Sequence, residues 1–252
     1  MQDDMEIYDG NTSQIYTERT QVQREKVVCE SSTVTIQTGL FAAKTFAFMA
    51  GGLAVSFVVA FLTSLFFPTA MFEFEMYIGV LIAEIAVAVI FGFCFQKLSA
   101  PATIGLFFVY AVLTGFTLSL FLTAFGFSTF YLAFASTGCI FLVLSIVGFV
   151  TKKDVGRVGP MLGVTLIMLC LTSVIAYVIG GVFEMIVCGI GVLIFSAITV
   201  YDIKKMRNFE GMITSEQDYT KYAVYSAMQL FLDFINILIY IIRILAVSNR
   251  RK

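Results

Sequence analysis

The stretch Leu230–Leu245, LFLDFINILIYIIRIL, decides how this chain is read. It is apolar enough to lie in lipid, yet it carries Asp233, Asn236 and Arg243. Together with Gln229 and Tyr240 these residues recur at spacings of four, three, four and three, which is one face of a helix. Ser226 and Tyr222 extend the stripe toward the N-terminus; the other faces are Leu, Phe and Ile. An ionisable group at bilayer depth costs about 2.5–3.5 kcal/mol on insertion scales, so such a stripe must turn toward protein or water. The segment is therefore expected to be a central helix, surrounded by others.

The rest of the chain supplies those others. Only 13% of the 252 residues are charged and 59% are hydrophobic, whereas a soluble domain carries about 25% charged residues. No charged side chain occurs between Lys97 and Lys152, and only Glu184 occurs between Val158 and Tyr201. Apolar runs of about 20 residues match the roughly 30 Å hydrocarbon core of a bilayer. Seven are read, at 41–67, 77–96, 102–125, 128–150, 159–180, 183–202 and 222–248. Turn residues separate them: Pro68, Ser99-Ala-Pro101, Gly126-Phe-Ser128, Gly159-Pro160 and Gly180-Gly181. The expected fold is an all-α membrane protein of seven transmembrane helices, the last one central. Residues 1–40 are polar and read as a disordered cytoplasmic tail, 41–248 as the transmembrane domain and 249–252 as a C-terminal tail. Within the helices, Gly51-Gly52, Gly163, Gly189 and Gly191 are read as sites of close helix packing.

Orientation follows from lysine and arginine. The links after segments 2, 4 and 6 hold Lys97; Lys152, Lys153 and Arg157; and Lys204, Lys205, Arg207 and Lys221. Those after segments 1, 3 and 5 hold none. The N-terminus is expected in the cytoplasm, with the acidic start MQDDMEIYDG not reading as a cleaved signal. Seven spans put Arg250-Arg-Lys252 on the far side, against the same rule, so segment 7 either spans regardless or turns back.

Composition excludes several functions. There is no histidine, which removes HExxH zinc sites and His-dependent triads, and any pH response must come from carboxylates. A net charge of −1 gives no reason to expect nucleic acid. The five cysteines form no CxxC and read as small hydrophobes. No cofactor is expected.

Three carboxylates stand out. Segment 6 ends FSAITVYDIKKM, with Ser196, Thr199 and Asp202 three apart; segment 2 carries Glu84; segment 7 carries Asp233. If Asp202 and Asp233 face each other, they share a proton and titrate as a pair, which is a proton-dependent latch. Asp202 lies at the cytoplasmic end of its helix and Asp233 one or two turns deeper, so the pairing requires helix tilt, a vestibule or a later start to segment 7. Arg243 lies ten residues, about 15 Å, beyond Asp233, and its partner is either Glu84 or a carbonyl. Lys44 and Glu184, at helix ends, read as interfacial. Oxygen-rich residues suit Ca²⁺, but without an EF-hand or a high-affinity cage any binding at Asp202, Asp233 and Glu84 would be transient.

These segments resemble the Bax inhibitor family of membrane proteins, the transmembrane Bax-inhibitor-motif group. The resemblance rests on TGFTLSL (Thr114–Leu120), FSAITVYDIKKM (Phe195–Met206) and LFLDFINILIYIIRIL, and spans Phe41 to Val247. It implies seven helices with the last one central, a pH-sensitive calcium leak, Asp202 and Asp233 as di-aspartyl sensor, and Glu84 as a further pore acid. Eukaryotic members are linked to suppression of cell death; bacterial ones lie in the inner membrane, the location favoured here over an organelle. Some bacterial relatives latch the first aspartate with an arginine near the end of helix 2. Here that stretch reads FGFCFQKLS, which leaves only Lys97 for the role. Gln229, Asn236, Tyr240 and Arg243 are expected as supporting polar residues.

Two other readings compete. A protein-binding regulator without its own flux would use the polar tail or the 203–221 loop. An intramembrane aspartyl protease would need its second aspartate in Gly-x-Gly-Asp and a Pro-Ala-Leu element, neither of which occurs. No enzymatic activity is expected.

Overall fold

The computed structural model describes residues 40–66, 74–151, 178–210, 213 and 216–249, with 165, 168–169, 172–173 and 175–176 between them. The chain divides after Phe41, and the account below concerns the unit Ala42–Lys252. The expected tail 1–40 and the end 250–252 lie almost wholly outside the described residues.

The described elements are helical. They are α1 (Leu40–Phe66), α2 (Phe74–Cys94) continued by a 3₁₀ turn (Phe95–Lys97), α3 (Ala100–Val150), α4 (Gly181–Glu210) and α5 (Glu216–Asn249). All five are long and apolar enough to cross a membrane. At 51 residues, α3 would measure about 77 Å if straight, far more than one bilayer. It is broken at Gly126, whose φ of 79° and ψ of 157° only glycine adopts readily. The break falls where the sequence places the turn between segments 3 and 4, and it divides α3 into two arms, 100–125 and 127–150. Consecutive positive-φ glycines, Gly180 and Gly181, open α4. The described residues from Thr165 to Ile179 are helical, so part of the expected fifth segment is seen and the remainder lies outside the described residues.

Local chemistry explains where α3 starts and stops. Ser99 is extended (ψ 159°), Pro101 occupies the first turn where its missing N–H costs nothing, and Thr103 returns both its N–H and its hydroxyl to the Ser99 carbonyl. At the far end Thr151 does the same to Val147. Hydroxyls within the spans are satisfied the same way: Thr137, Ser145, Ser196 and Thr199 each bond the carbonyl four residues earlier.

α5 is the buried helix. In its apolar window 67% is buried, against 17–28% in the other four. Phe231 meets the Phe107 and Tyr110 rings of the first arm of α3, and Phe234 meets Phe134 and Phe141 of the second. Phe91 and Phe95, from α2 and its 3₁₀ turn, stack on Tyr225; Phe195 of α4 touches Tyr240. Gly52 of α1 lies against Phe231 and Phe107. The outer helices present Phe93, Leu142, Ile146 and Leu193 outward, as lipid requires. Lipid tails are as apolar as leucine, so close fit rather than hydrophobicity holds such helices together. Gly115 shows it: a Cβ there would lie 2.7 Å from Val59 Cβ and 2.8 Å from the Ser56 carbonyl. Ser56 in turn donates to the Ala111 carbonyl at 2.6 Å, locking α1 to α3. Of the glycines read as packing sites, Gly52 and Gly191 behave so, Gly51 has only ordinary contact with Phe108, nothing approaches Gly189 within 4 Å, and Gly163 lies outside the described residues.

Candidate functional site

The register between α4 and α5 sets the site. Phe209 lies against Tyr222 and Tyr225, Lys205 against Tyr225 and Gln229, Thr199 beside Asp233, and Phe195 against Tyr240. In this antiparallel register Asp202 falls between the levels of Gln229 and Asp233. The depth mismatch expected from the sequence therefore shrinks to about one turn. Its cause is that α4 runs on past Asp202 to Glu210, so Asp202 lies about two turns inside the helix and not at its end.

Asp202 and Asp233 are close enough to interact electrostatically. Asp233 is 4% exposed, and its Oδ2 has no hydrogen-bond partner among the described residues. The neighbouring Thr199 hydroxyl donates to the Phe195 carbonyl at 2.8 Å and also lies within hydrogen-bonding reach of Asp233. Ser226, one heptad before Asp233 on the same stripe, is likewise buried with an unbonded hydroxyl. A buried carboxylate oxygen left without a donor is costly.

The other expected residues divide. Lys205 Nζ donates to Gln229 Oε1 at 3.4 Å and lies over the Tyr225 and Phe209 rings; Gln229 Nε2 reaches the Tyr225 hydroxyl at 3.3 Å. Gln229 therefore belongs to a polar bridge one turn from the aspartates. Asn236 does not support Asp233 by a bond: its amide turns back to the Leu232 carbonyl at 2.7 Å. Glu84 is buried on α2, but it faces α3, accepting from Thr117 at 3.0 Å beside Thr114 and Tyr110. It does not join the aspartate pair. Arg243 pairs with neither aspartate nor Glu84. Its Nε donates to Glu184 Oε1 at 3.0 Å and its Nη2 to the Ser173 carbonyl at 3.4 Å, while the Tyr240 hydroxyl meets Ser173 Oγ at 2.9 Å. The carbonyl alternative for Arg243 is thus realised, and Glu184, in the first turn of α4 as expected, is ion-paired as well. A register count could have found it, since both residues lie at the same end of adjacent antiparallel helices.

The latch expected at Lys97 is placed differently too. Lys97 ends the 3₁₀ turn with an exposed side chain. The cation acting on Asp202 is Lys205, one turn on along the same helix. It is Lys221 that ties α5 to the turn, donating to the Gln96 carbonyl at 2.8 Å over the Phe95 ring. Lys44, read as interfacial, donates to Thr220 Oγ1 at 2.6 Å.

A central helix with a buried aspartate, ringed by apolar helices, defines a polytopic membrane protein with an internal acid site. The chain belongs to the Bax inhibitor family: residues 38–251 match the family described as "Inhibitor of apoptosis-promoting Bax1". It is 34% identical to the Escherichia coli inner membrane protein YbhL over 177 residues, 69% of this chain and 75% of that one. It is 31% identical to an uncharacterized protein of Deinococcus radiodurans over 82% of this chain and 90% of that one. An uncharacterized membrane protein of Streptococcus pyogenes is 33% identical over 67% of this chain and 73% of its own length.

Proposed function

We propose that this protein is a pH-sensitive cation leak, calcium favoured, gated by Asp202 and Asp233. The observation that carries the reading is Asp233, buried on the central helix with an unbonded oxygen and near enough to Asp202 to interact with it electrostatically. Two carboxylates so placed exchange a proton as a unit, and the charge state of the pair sets whether α4 and α5 attract or repel. Oxygen ligands of this kind suit a hard cation held weakly enough to pass. We take each arm of α3 and the segment that holds the helical residues Thr165 to Ile179 as separate spans, which makes seven. Lys97, the basic end of α4 with Lys204, Lys205 and Arg207, and Lys221 near the start of α5 then face the cytoplasm, as does the N-terminus. The bacterial relatives favour an inner membrane. No catalytic role is assigned to any residue.

Calcium flux into proteoliposomes, followed across pH, tests the reading. The wild-type protein should leak with a marked pH dependence, and Asp202→Asn and Asp233→Asn should flatten it. Unaltered pH profiles in both variants would sink the gate; no flux at any pH would sink the leak.

A further inference from the structure

A groove beside α2 holds the acid that the aspartate pair leaves out. Glu84 is 8% exposed and accepts from Thr117 at 3.0 Å. Thr114 lies within hydrogen-bonding reach of it, and Tyr110 is near enough to interact electrostatically. Among the described residues no lysine or arginine pairs with Glu84. A cavity of about 390 Å³ opens beside its carboxyl group. Glu84 and Tyr110 line it together with the apolar face of α2 that runs from Leu81 through Ala88 and Gly92 to Phe93. Those positions share one side of the helix, so the cavity is a groove along α2, about 18 Å long. Its rim residues Leu81, Val89 and Phe93 are half-exposed or more, so in a membrane the groove opens sideways to lipid. At Gly92 a Cβ would meet nothing within 4 Å, so that part of the groove is open space. Neither Asp202 nor Asp233 borders it.

A carboxylate at membrane depth is costly without a counter-charge, and such acids pair with a cation or serve a ligand. The threonine hydroxyls beside Glu84 give it hydrogen bonds but no positive charge. A hard metal ion does not suit the groove, because Ca²⁺ takes about six to eight oxygen ligands and the walls here are apolar. A single positive charge on a hydrocarbon body does suit it. The charge sits against Glu84, the body lies on the apolar face of α2, and the rings of Tyr110 and Phe93 attract an ammonium group. We propose that this groove binds a membrane-dissolved monovalent organic cation, an alkylammonium with an elongated apolar body, and that Glu84 is its counter-ion. The ligand enters sideways from the bilayer and lies with its head at Glu84 and its tail along α2 past Gly92. The site is independent of the leak, since it shares no residue with the aspartate pair. The ordinary alternative is an acid that only joins α2 to α3, beside a groove filled by lipid tails.

The test measures binding of radiolabelled dodecyltrimethylammonium to the full chain in phosphatidylcholine nanodiscs, with empty nanodiscs as the partition blank. Dodecanol, of the same length but uncharged, is the control ligand. The wild type should bind the ammonium saturably and dodecanol not at all. Glu84→Gln keeps an acceptor for Thr117 and removes the charge. It should weaken the ammonium by about tenfold or more, the scale of a lost buried charge pair. Gly92→Leu puts bulk into the groove without touching Glu84 and where no neighbour stands in its way, so it should fold as the wild type does and bind several-fold more weakly. Equal uptake by the wild type and Glu84→Gln identifies partition into lipid and overturns the proposal, as does dodecanol bound as tightly as the ammonium. Should Glu84→Gln melt well below the wild type, Gly92→Leu decides: undiminished affinity there overturns the groove, and weakened affinity upholds it.

Discussion

Gly191 and Tyr240 are fitted to each other: a Cβ on Gly191 would lie 2.8 Å from Cζ of the Tyr240 ring. The ring fills the space that α4 leaves by having glycine there, and its hydroxyl reaches Ser173. Gly191→Ala should therefore cost about 1–3 kcal/mol, the usual range for overpacking. Thermal unfolding in detergent measures it. Adding Tyr240→Leu should recover part of the loss, whereas Tyr240→Phe, which keeps the ring, should not.

The glycines of α3 provide an internal control on the same physics. Gly115 is pressed against Val59 and the Ser56 carbonyl, while nothing lies within 4 Å of the Cβ position of Gly138. Gly115→Ala should destabilise by about 1–3 kcal/mol because backbone must move. Gly138→Ala should be neutral or stabilising by up to about 1 kcal/mol, the helix-propensity gain. Equal melting temperatures for the two variants would show that α1 and α3 are not so closely apposed.

Asp202 and Asp233 should behave as one unit in stability as well as in flux. At neutral pH, unfolding of Asp202→Asn, Asp233→Asn and the double variant forms a cycle. Interacting residues show coupling of about 0.5–3 kcal/mol, whereas independent sites add within about 0.5. An additive result would mean that the two carboxylates do not sense each other.

Glu84 should stand apart from that unit. Its bond from Thr117 survives in Glu84→Gln, because the amide oxygen can accept it. The variant should fold with near wild-type stability and keep the pH profile of the Asp202–Asp233 pair. Glu84→Leu should be less stable by about 1–2 kcal/mol, through the Thr117 hydroxyl it leaves unpaired. A pH profile flattened by Glu84→Gln would put Glu84 inside the gate.

Much of this was legible along the chain. The stripe Gln229, Asp233, Asn236, Tyr240, Arg243 named the central helix because a polar face in lipid has only one place to go, and α5 is the buried helix. The break in the long apolar run was legible at Gly126, since that φ belongs to glycine. Partners were less legible. Asn236 bonds its own helix, Glu84 bonds Thr117, and Lys205 rather than Lys97 acts on Asp202.

The sequence by itself determined that the chain is helical, embedded in lipid and built around its last helix. Those properties follow from hydrophobicity and periodicity, which every residue contributes independently. The tertiary structure alone decided the register between α4 and α5, and so which polar groups meet. It set Asp202 near Asp233 and gave Arg243 to Glu184. Register depends on how far one helix slides past another, and that is fixed by close contacts such as Gly191 with Tyr240, which no single segment encodes.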